Sequence, residues 1–462
     1  MATSELYPFY SKEDLTKKFV SKSIKDVTLP AAVIDRQKVK RNCDRMLDAC
    51  EELKFRWRAH IKTHKTTELT KLQVGDGNGP ANLIVSTIIE AENVAPLLLE
   101  YKAAGRAVNV LYSFPVTPGA VERLSQLNKS LGQNGLSLMV DHPTQLESVI
   151  AIHKATSIAP SIFLKIDMGG RRAGVVPETE ACSQLITSIL SLEKAGQAIF
   201  LGLYSHAGHS YSSNSQDSAL DYLRLEFESL LTTLSTVHAQ SPSKQLILSV
   251  GATPTTTSIR NLLLPNTPET PAITALKKTI SQIQSQNALI EIHAGVYPLL
   301  DCQQLATNAL PTTGPNAQLT FNDIAFTIIA EVASLYPSRG TDGTAEALLG
   351  AGSLALGREP CKAYSGWGIL TPWNRVGVSM PSVPLEEYKG WKVGRISQEH
   401  GILTWDGEKG EEEPLEVGMK VRVWPNHACI AGRGFDWYFV VDGGREGRED
   451  EIVDVWPRWR GW

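Results

Sequence analysis

No apolar run in the 462 residues approaches the length needed to cross a membrane. Long basic runs are absent too. With a net charge of −4 nothing favours nucleic acid as a partner. Cysteine is sparse and scattered: Cys43, Cys50, Cys182, Cys302, Cys361 and Cys429 form no CxxC pair. That spacing argues against a disulfide scaffold and for cytosolic thiols, with room for a metal ligand among them. The opening residues, MATSELYPFYSKEDLTKKF, lack the apolar segment of a secretory signal, so the expected location is the cytoplasm. Hydrophobic residues at 42% and charged residues at 20% fit a soluble globular protein. The length exceeds one ordinary core, so two domains are expected, although a barrel can occupy well over half of such a chain.

The stretch 55–65, FRWRAHIKTHK, organises the rest. Phe55, Trp57, Ala59 and Ile61 alternate with Arg56, Arg58, His60 and Lys62. On a strand over 57–63 this places Arg58, His60 and Lys62 on one face, with Lys62 at the carboxyl end. Such a face is either a solvated edge or the setting for a lysine crowded by cations and partly desolvated. The second setting makes an amine a usable nucleophile or Schiff-base former.

A short apolar strand candidate, AAVID, and a helix over 37–53 precede this stretch. Beyond it a rhythm sets in. Apolar or alternating runs at 83–87, 108–113, 136–141, 162–167, 199–206, 246–251 and 289–294 are separated by helical patterns at 88–104, 118–131, 143–156, 179–195 and 218–238. With the opening strand that makes eight β-strands, and the fold expected is a (β/α)8 barrel, with a doubly wound sheet as the alternative. Segments 210–218 and 307–318 read as insertions, the latter as a surface loop. From about Phe321 helical periodicity fades, and most of the ten tryptophans fall here, where short runs at 326–336, 391–397, 402–405, 420–424, 437–441 and 452–456 are separated by Gly, Asp, Pro and Asn. The expected organisation is a lead-in over 1–30, a barrel over 31–320 and a β-rich domain over 321–462.

Polar residues collect where barrel strands end, which is where barrel active sites lie. Strand five leads into KIDMGGRRAGV, strand six into LYSHAGHSY, strand seven into SVGATPTT and strand eight into IHAGVY. Gly251, Thr253, Thr255, Gly295 and Val296 offer backbone N–H groups and hydroxyls suited to a phosphate after strands seven and eight. Phosphate opposite an activated lysine suggests pyridoxal 5'-phosphate held as a Schiff base. In the second domain, WPNHAC places His427 and Cys429 two residues apart, on one side of an extended segment. Imidazole and thiolate suit Zn²⁺, and two protein ligands leave positions open, as at a catalytic metal.

RAHIKTHKT, KIDMGGRRAGV, LYSHAGHSY, SVGATPTT and EIHAGVY together resemble the alanine-racemase-like pyridoxal phosphate enzymes, and within them the eukaryotic D-serine dehydratases. The resemblance spans residues from about Leu29 to the C-terminus. It implies that Lys62 holds the cofactor, that Arg172 approaches its phenolic oxygen and that His206 lies beside its ring. Tyr204 and Tyr211 are implied as further contacts, and Thr253, Gly295 and Val296 as phosphate contacts. It also implies zinc on His427 and Cys429, D-serine as substrate, pyruvate and ammonia as products, and a homodimer. Two departures stand out: Arg58-Ala59-His60 replaces the family's Arg-Pro-His, and His293 stands where racemases carry an arginine facing the pyridine nitrogen. The related D-threonine aldolases have aspartate where Cys429 stands; the thiolate favours zinc and dehydration. D-threonine aldolase or D-3-hydroxyaspartate dehydratase activity is the alternative within the family. A non-catalytic cofactor carrier or a structural zinc protein is the alternative outside it. Glu399-His400-Gly401 is a further family signature.

Overall fold

A computed structural model describes residues 7–265 and 268–462. The first six residues of the expected lead-in lie outside them. The chain forms two compact units. One comprises Tyr7 and Pro8, Arg45–Gly295 and the terminal Trp459–Trp462; the other joins Phe9–Asp44 to Val296–Arg458.

Strand β1 (Ala31–Asp35) belongs to the second unit, although the sequence rhythm places it with the barrel. Its four apolar residues are buried, and it pairs antiparallel with β10 (Phe326–Tyr336) and parallel with β16 (Trp437–Val441). A short apolar run carries no record of its partner, and the partner here is nearly 300 residues away in sequence.

The first unit is a closed eight-stranded barrel of β2 (Arg56–His60), β3 (Ala81–Val85), β4 (Val108–Pro115), β5 (Leu136–Val140), β6 (Ser161–Lys165), β7 (Ile199–Tyr204), β8 (Ile247–Val250) and β9 (Leu289–Ala294). All eight expected strands are present, and neighbouring strands run parallel. Strands β3, β5 and β6 are buried along their whole length, as parallel strands covered by helices must be. Inside the barrel, Ile84, Leu111, Met139, Phe163, Tyr204 and Ile247 pack together. The expected helices form with small changes at their ends: Ile88–Ala103, Val121–Leu131, Gln145–Thr156, Glu180–Lys194 and Gln216–Gln240. Thr179 turns out to be a cap, its side chain accepting from the N–H of Cys182.

The opening strand differs from expectation in length. It ends at His60, so Lys62 lies beyond the sheet, in a turn closed by the Lys65 N–H donating to the Ile61 carbonyl at 3.0 Å. A solvated edge is excluded as well. Arg58 is 1% exposed and lies in a closed barrel, because both faces of a barrel strand are covered.

The second unit is built on a nine-stranded sheet. It adds β11 (Glu346–Leu349), β12 (Gly368–Leu370), β13 (Gly390–Ile396), β14 (Gly401–Asp406), β15 (Lys420–Pro425) and β17 (Asp454–Pro457) in the order β11-β14-β13-β12-β15-β10-β1-β16-β17. Strands β11 and β12 were not among the expected runs; each has only three or four residues, too few to show alternation. From the lead-in, Leu15, Ile24 and Val27 join the core of this unit with Phe439 and Val455. Nor is 307–318 wholly a surface loop: Leu310 is buried against Phe321 and Trp424.

Candidate active site

At the carboxyl ends of the barrel strands a cavity of about 270 Å³ is lined by His60, Lys62, Ser86, Ser113, Met139, Lys165, Arg172, Tyr204 and His206, among others. It thus brings together Lys62, Arg172, Tyr204 and His206 from the expected site. Tyr211, Thr253 and Gly295 lie outside its lining. Tyr211 sits half-buried in a 3-10 turn over Gly208–Ser212, Thr253 opens the short helix Thr253–Ser258, and the buried Val296 begins the second unit.

Each element positions its side chain for a local reason. The MGGRRAG loop that carries Arg172 is gathered by two carboxylates: Asp167 accepts from the N–H groups of Gly169 and Arg171, and Asp141 accepts from that of Gly174. His206 donates from Nδ1 to the Gly251 carbonyl at 2.5 Å, which leaves Nε2 as an acceptor. Gly251 has φ +148°, and a Cβ there would come within 2.1 Å of the His293 carbonyl oxygen, so only glycine fits. Thr256 donates its hydroxyl to the same carbonyl at 2.7 Å, joining the loops after β8 and β9.

Beneath the cavity lies a stack of rings, with Tyr204 and His293 parallel at 4.3 Å between centroids and His206 6.2 Å from His293. Burial first, and then nearby cations, hold the pKa of His60, His206 and His293 well below the ordinary imidazole value. These rings are neutral at physiological pH. Under them Arg58 donates from Nε to Glu291 at 2.7 Å and from Nη1 to Asn109 at 2.7 Å, and Ser249 bridges Glu291 to His293.

Two groups escaped the sequence reading. Lys165, at the end of β6, stands 4.5 Å from the Tyr204 ring centroid, and burial followed by the charge of Arg172 lowers its pKa to about 7. The signal was legible, because Lys165 is the one charge in IFLKI, at the end of an expected strand. Glu226 is fully buried. Its carboxylate accepts from the N–H groups of Ala207 and Gly251 and from the Thr255 hydroxyl, tying the loops after β7 and β8 together. It stands on the apolar stripe of its helix, between Leu223 and Leu230, where a carboxylate is out of pattern.

The barrel residues fit pyridoxal phosphate. An amine faces an open-mouthed cavity that Tyr204 and His206 also line, with the Arg172 guanidinium beside them. Two buried polar atoms at these strand ends, Ser205 Oγ and His293 Nε2, have no hydrogen-bond partner.

In the second unit His427 caps the four-residue helix Ala428–Ala431, and Cys429 is half-exposed while the other five cysteines are buried. The imidazole and thiol are within hydrogen-bonding reach of one another. Burial works to lower the His427 pKa, but Cys429 and Asp301 outweigh it and raise it to about 9. Among the described residues no three His, Cys, Asp or Glu side chains gather as a metal cluster. A nitrogen and a sulfur donor side by side, one partly open to solvent, fit zinc with two protein ligands.

The fold and the lysine-lined cavity define the alanine-racemase-like class of pyridoxal phosphate enzymes. The family described as alanine racemase, N-terminal domain, matches residues 34–264, and that of a serine dehydratase domain matches residues 325–441. D-Serine dehydratase of Schizosaccharomyces pombe is 36% identical over 100% of this chain and 98% of its own length. That of Saccharomyces cerevisiae is 33% identical over 97% and 100%. The solved D-threo-3-hydroxyaspartate dehydratase of Delftia sp. HT23 superposes with a TM-score of 0.71 at 24% identity, covering 96% of this chain and 100% of its own. The chain belongs to the D-serine dehydratase family, whose members are lyases.

Proposed function

We propose that this protein is a zinc- and pyridoxal phosphate-dependent D-serine ammonia-lyase that converts D-serine to pyruvate and ammonia. The observation that carries the reading is the barrel-mouth cavity lined by Lys62, Arg172, Tyr204 and His206, in a chain similar over its whole length to two yeast D-serine dehydratases.

Lys62 would hold the cofactor covalently through Nζ, Arg172 would meet its phenolic oxygen and Tyr204, His206 and Tyr211 would contact it. Thr253, Gly295 and Val296 would hold its phosphate. When bound, pyridoxal phosphate supplies an electron sink for the charge left at the substrate α-carbon. His427 and Cys429 would hold zinc, which supplies a Lewis acid for the departing β-hydroxyl. Nζ of Lys62 would remove the substrate α-proton. The rings of His60 and His206, held neutral chiefly by burial, line the cavity with Lys62. Loss of the α-proton and of hydroxide would remove water across the Cα–Cβ bond to leave an enamine, which takes up a proton at Cβ to become an imine, and hydrolysis of that imine releases pyruvate and ammonia. A single base on one face accounts for action on one enantiomer. Support for a homodimer comes from the family resemblance, and support for a cytoplasmic location from the six scattered, unpaired cysteines. Among the described residues no helix is long and apolar enough to cross a membrane.

The test is a coupled pyruvate assay on D-serine and L-serine, with and without a chelator. Pyruvate from D-serine alone, lost with the chelator and restored by zinc, is the expected result. Glycine plus an aldehyde from D-threonine without pyruvate from D-serine would make the protein an aldolase. Preferential formation of oxaloacetate from 3-hydroxyaspartate would make it a hydroxyaspartate dehydratase.

A further inference from the structure

The segment Asn426-His427-Ala428 is gripped at three successive residues by one short stretch of chain. Gln303 donates its backbone N–H to the Asn426 carbonyl at 3.0 Å. The carboxylate of Asp301, itself fully buried, accepts the Ala428 N–H at 2.8 Å. Between them, Oε1 of Gln303 lies 2.6 Å from Nδ1 of His427. Asn426 is fixed from its other side, donating from Nδ2 to the carbonyls of Glu359 and Gly366.

The orientation of the Gln303 amide is settled by a fourth contact. Its Nε2 donates to the Pro360 carbonyl at 2.8 Å, and a carbonyl can only accept. The amide oxygen must therefore face His427, and an amide oxygen also only accepts. Hence Nδ1 of His427 carries the proton of this hydrogen bond, and Nε2 is the nitrogen whose proton a metal would replace.

We propose that Gln303 is the positioning residue of the His427–Cys429 metal site: it holds the proton on Nδ1 of His427, so that zinc is taken by Nε2. This inference rests on the zinc reading above. Partners of this kind orient the ring and raise its basicity, and losing one weakens metal binding roughly 10–100-fold. Gln303 is partly exposed on a four-residue helix, so an apolar replacement at this position leaves the surrounding core intact.

The experiment uses full-length protein, stripped of metal and titrated with Zn²⁺ against a chromophoric chelator. Gln303→Leu should bind zinc roughly 10–100-fold more weakly than wild type, with an unchanged unfolding midpoint in the metal-free state. Gln303→Glu retains an acceptor facing Nδ1 but loses the donor to the Pro360 carbonyl, and should bind zinc more tightly than Gln303→Leu. In ¹⁵N-histidine spectra of the zinc-loaded wild type, Nε2 of His427 should be ligated while Nδ1 keeps its proton. Zinc binding by Gln303→Leu as tight as that of wild type, or ligation of the wild type through Nδ1, overturns the role of Gln303 and leaves the zinc site standing. A wild type that binds no zinc, or one whose zinc binding survives His427→Ala and Cys429→Ala, overturns the zinc reading itself and this inference with it.

Discussion

Arg58 and Glu291 form an ion pair inside the barrel, Nε to Oε1 at 2.7 Å, with side chains 1% and 0% exposed. It joins β2 to β9, the strands whose pairing closes the barrel. Arg58 also donates to Asn109 and to the Leu83 carbonyl, and Ser249 donates to Glu291, so three further partners of the polar layer depend on the pair. Arg58→Met leaves the buried Glu291 charge with only the longer 4.0 Å ion-pair contact to Arg56 and should lower stability by about 3–5 kcal/mol. Adding Glu291→Gln should recover part of that loss. Urea denaturation of the two variants against wild type measures both effects; equal midpoints for Arg58→Met and wild type would rule out a closing role for the pair.

Glu226 makes stability depend on pH in a direction unusual for a carboxylate. Burial raises its pKa from 4.5 to about 7, against the hydrogen bonds of Thr255, Ala207 and Gly251, which lower it. Between those two values the folded state holds the proton more tightly than the unfolded one. Its contribution is therefore complete below about pH 4.5 and is lost as pH rises through about 7. Glu226→Gln keeps an acceptor for the two N–H groups and removes the titration. The thermal midpoint of wild type minus that of the variant should fall between about pH 5 and about pH 8. A constant difference over that range would show that Glu226 is ionised throughout.

Lys62 is the only group proposed to join the cofactor covalently. Wild type reconstituted with pyridoxal phosphate should be yellow, and Lys62→Ala should lack the visible band and form no pyruvate. Lys62→Arg should fail as well, because a guanidinium stays protonated and forms no imine. Absorption spectra of the three proteins decide the matter, and an unchanged band in Lys62→Ala would move the attachment to another lysine, with Lys165 the first to examine.

Cys429→Ala should stay folded and yellow, hold little zinc and form no pyruvate, because a core of this size does not depend on a metal for folding. It should still exchange the α-proton of D-serine with deuterated solvent, since the base remains. Cys429→Asp should recover some metal binding, with preference moved toward harder ions such as Mn²⁺. Metal analysis, deuterium incorporation and the pyruvate assay are the three measurements. Near-normal pyruvate formation by Cys429→Ala would return His427 and Cys429 to ordinary packing.

The alternation of β-runs and helical stripes was enough to place all eight barrel strands, because a parallel strand covered on both faces must be apolar along its length and its helix must be amphipathic. The same local logic found β10 and β16 to the residue, and it pointed to strand ends as the place for Lys62, Tyr204 and His206. It also contained Lys165 and Glu226, each a charge on an apolar pattern, which were legible and passed over. What the sequence could not determine is pairing across long distances. That AAVID completes a sheet with residues near 329 and 440, that Arg58 meets Glu291 inside a closed barrel, and that Gln303 faces His427 across 124 positions are decided only when the chain is packed. Local periodicity records which face of an element is buried, whereas the identity of the group that buries it depends on contacts that no stretch of sequence contains.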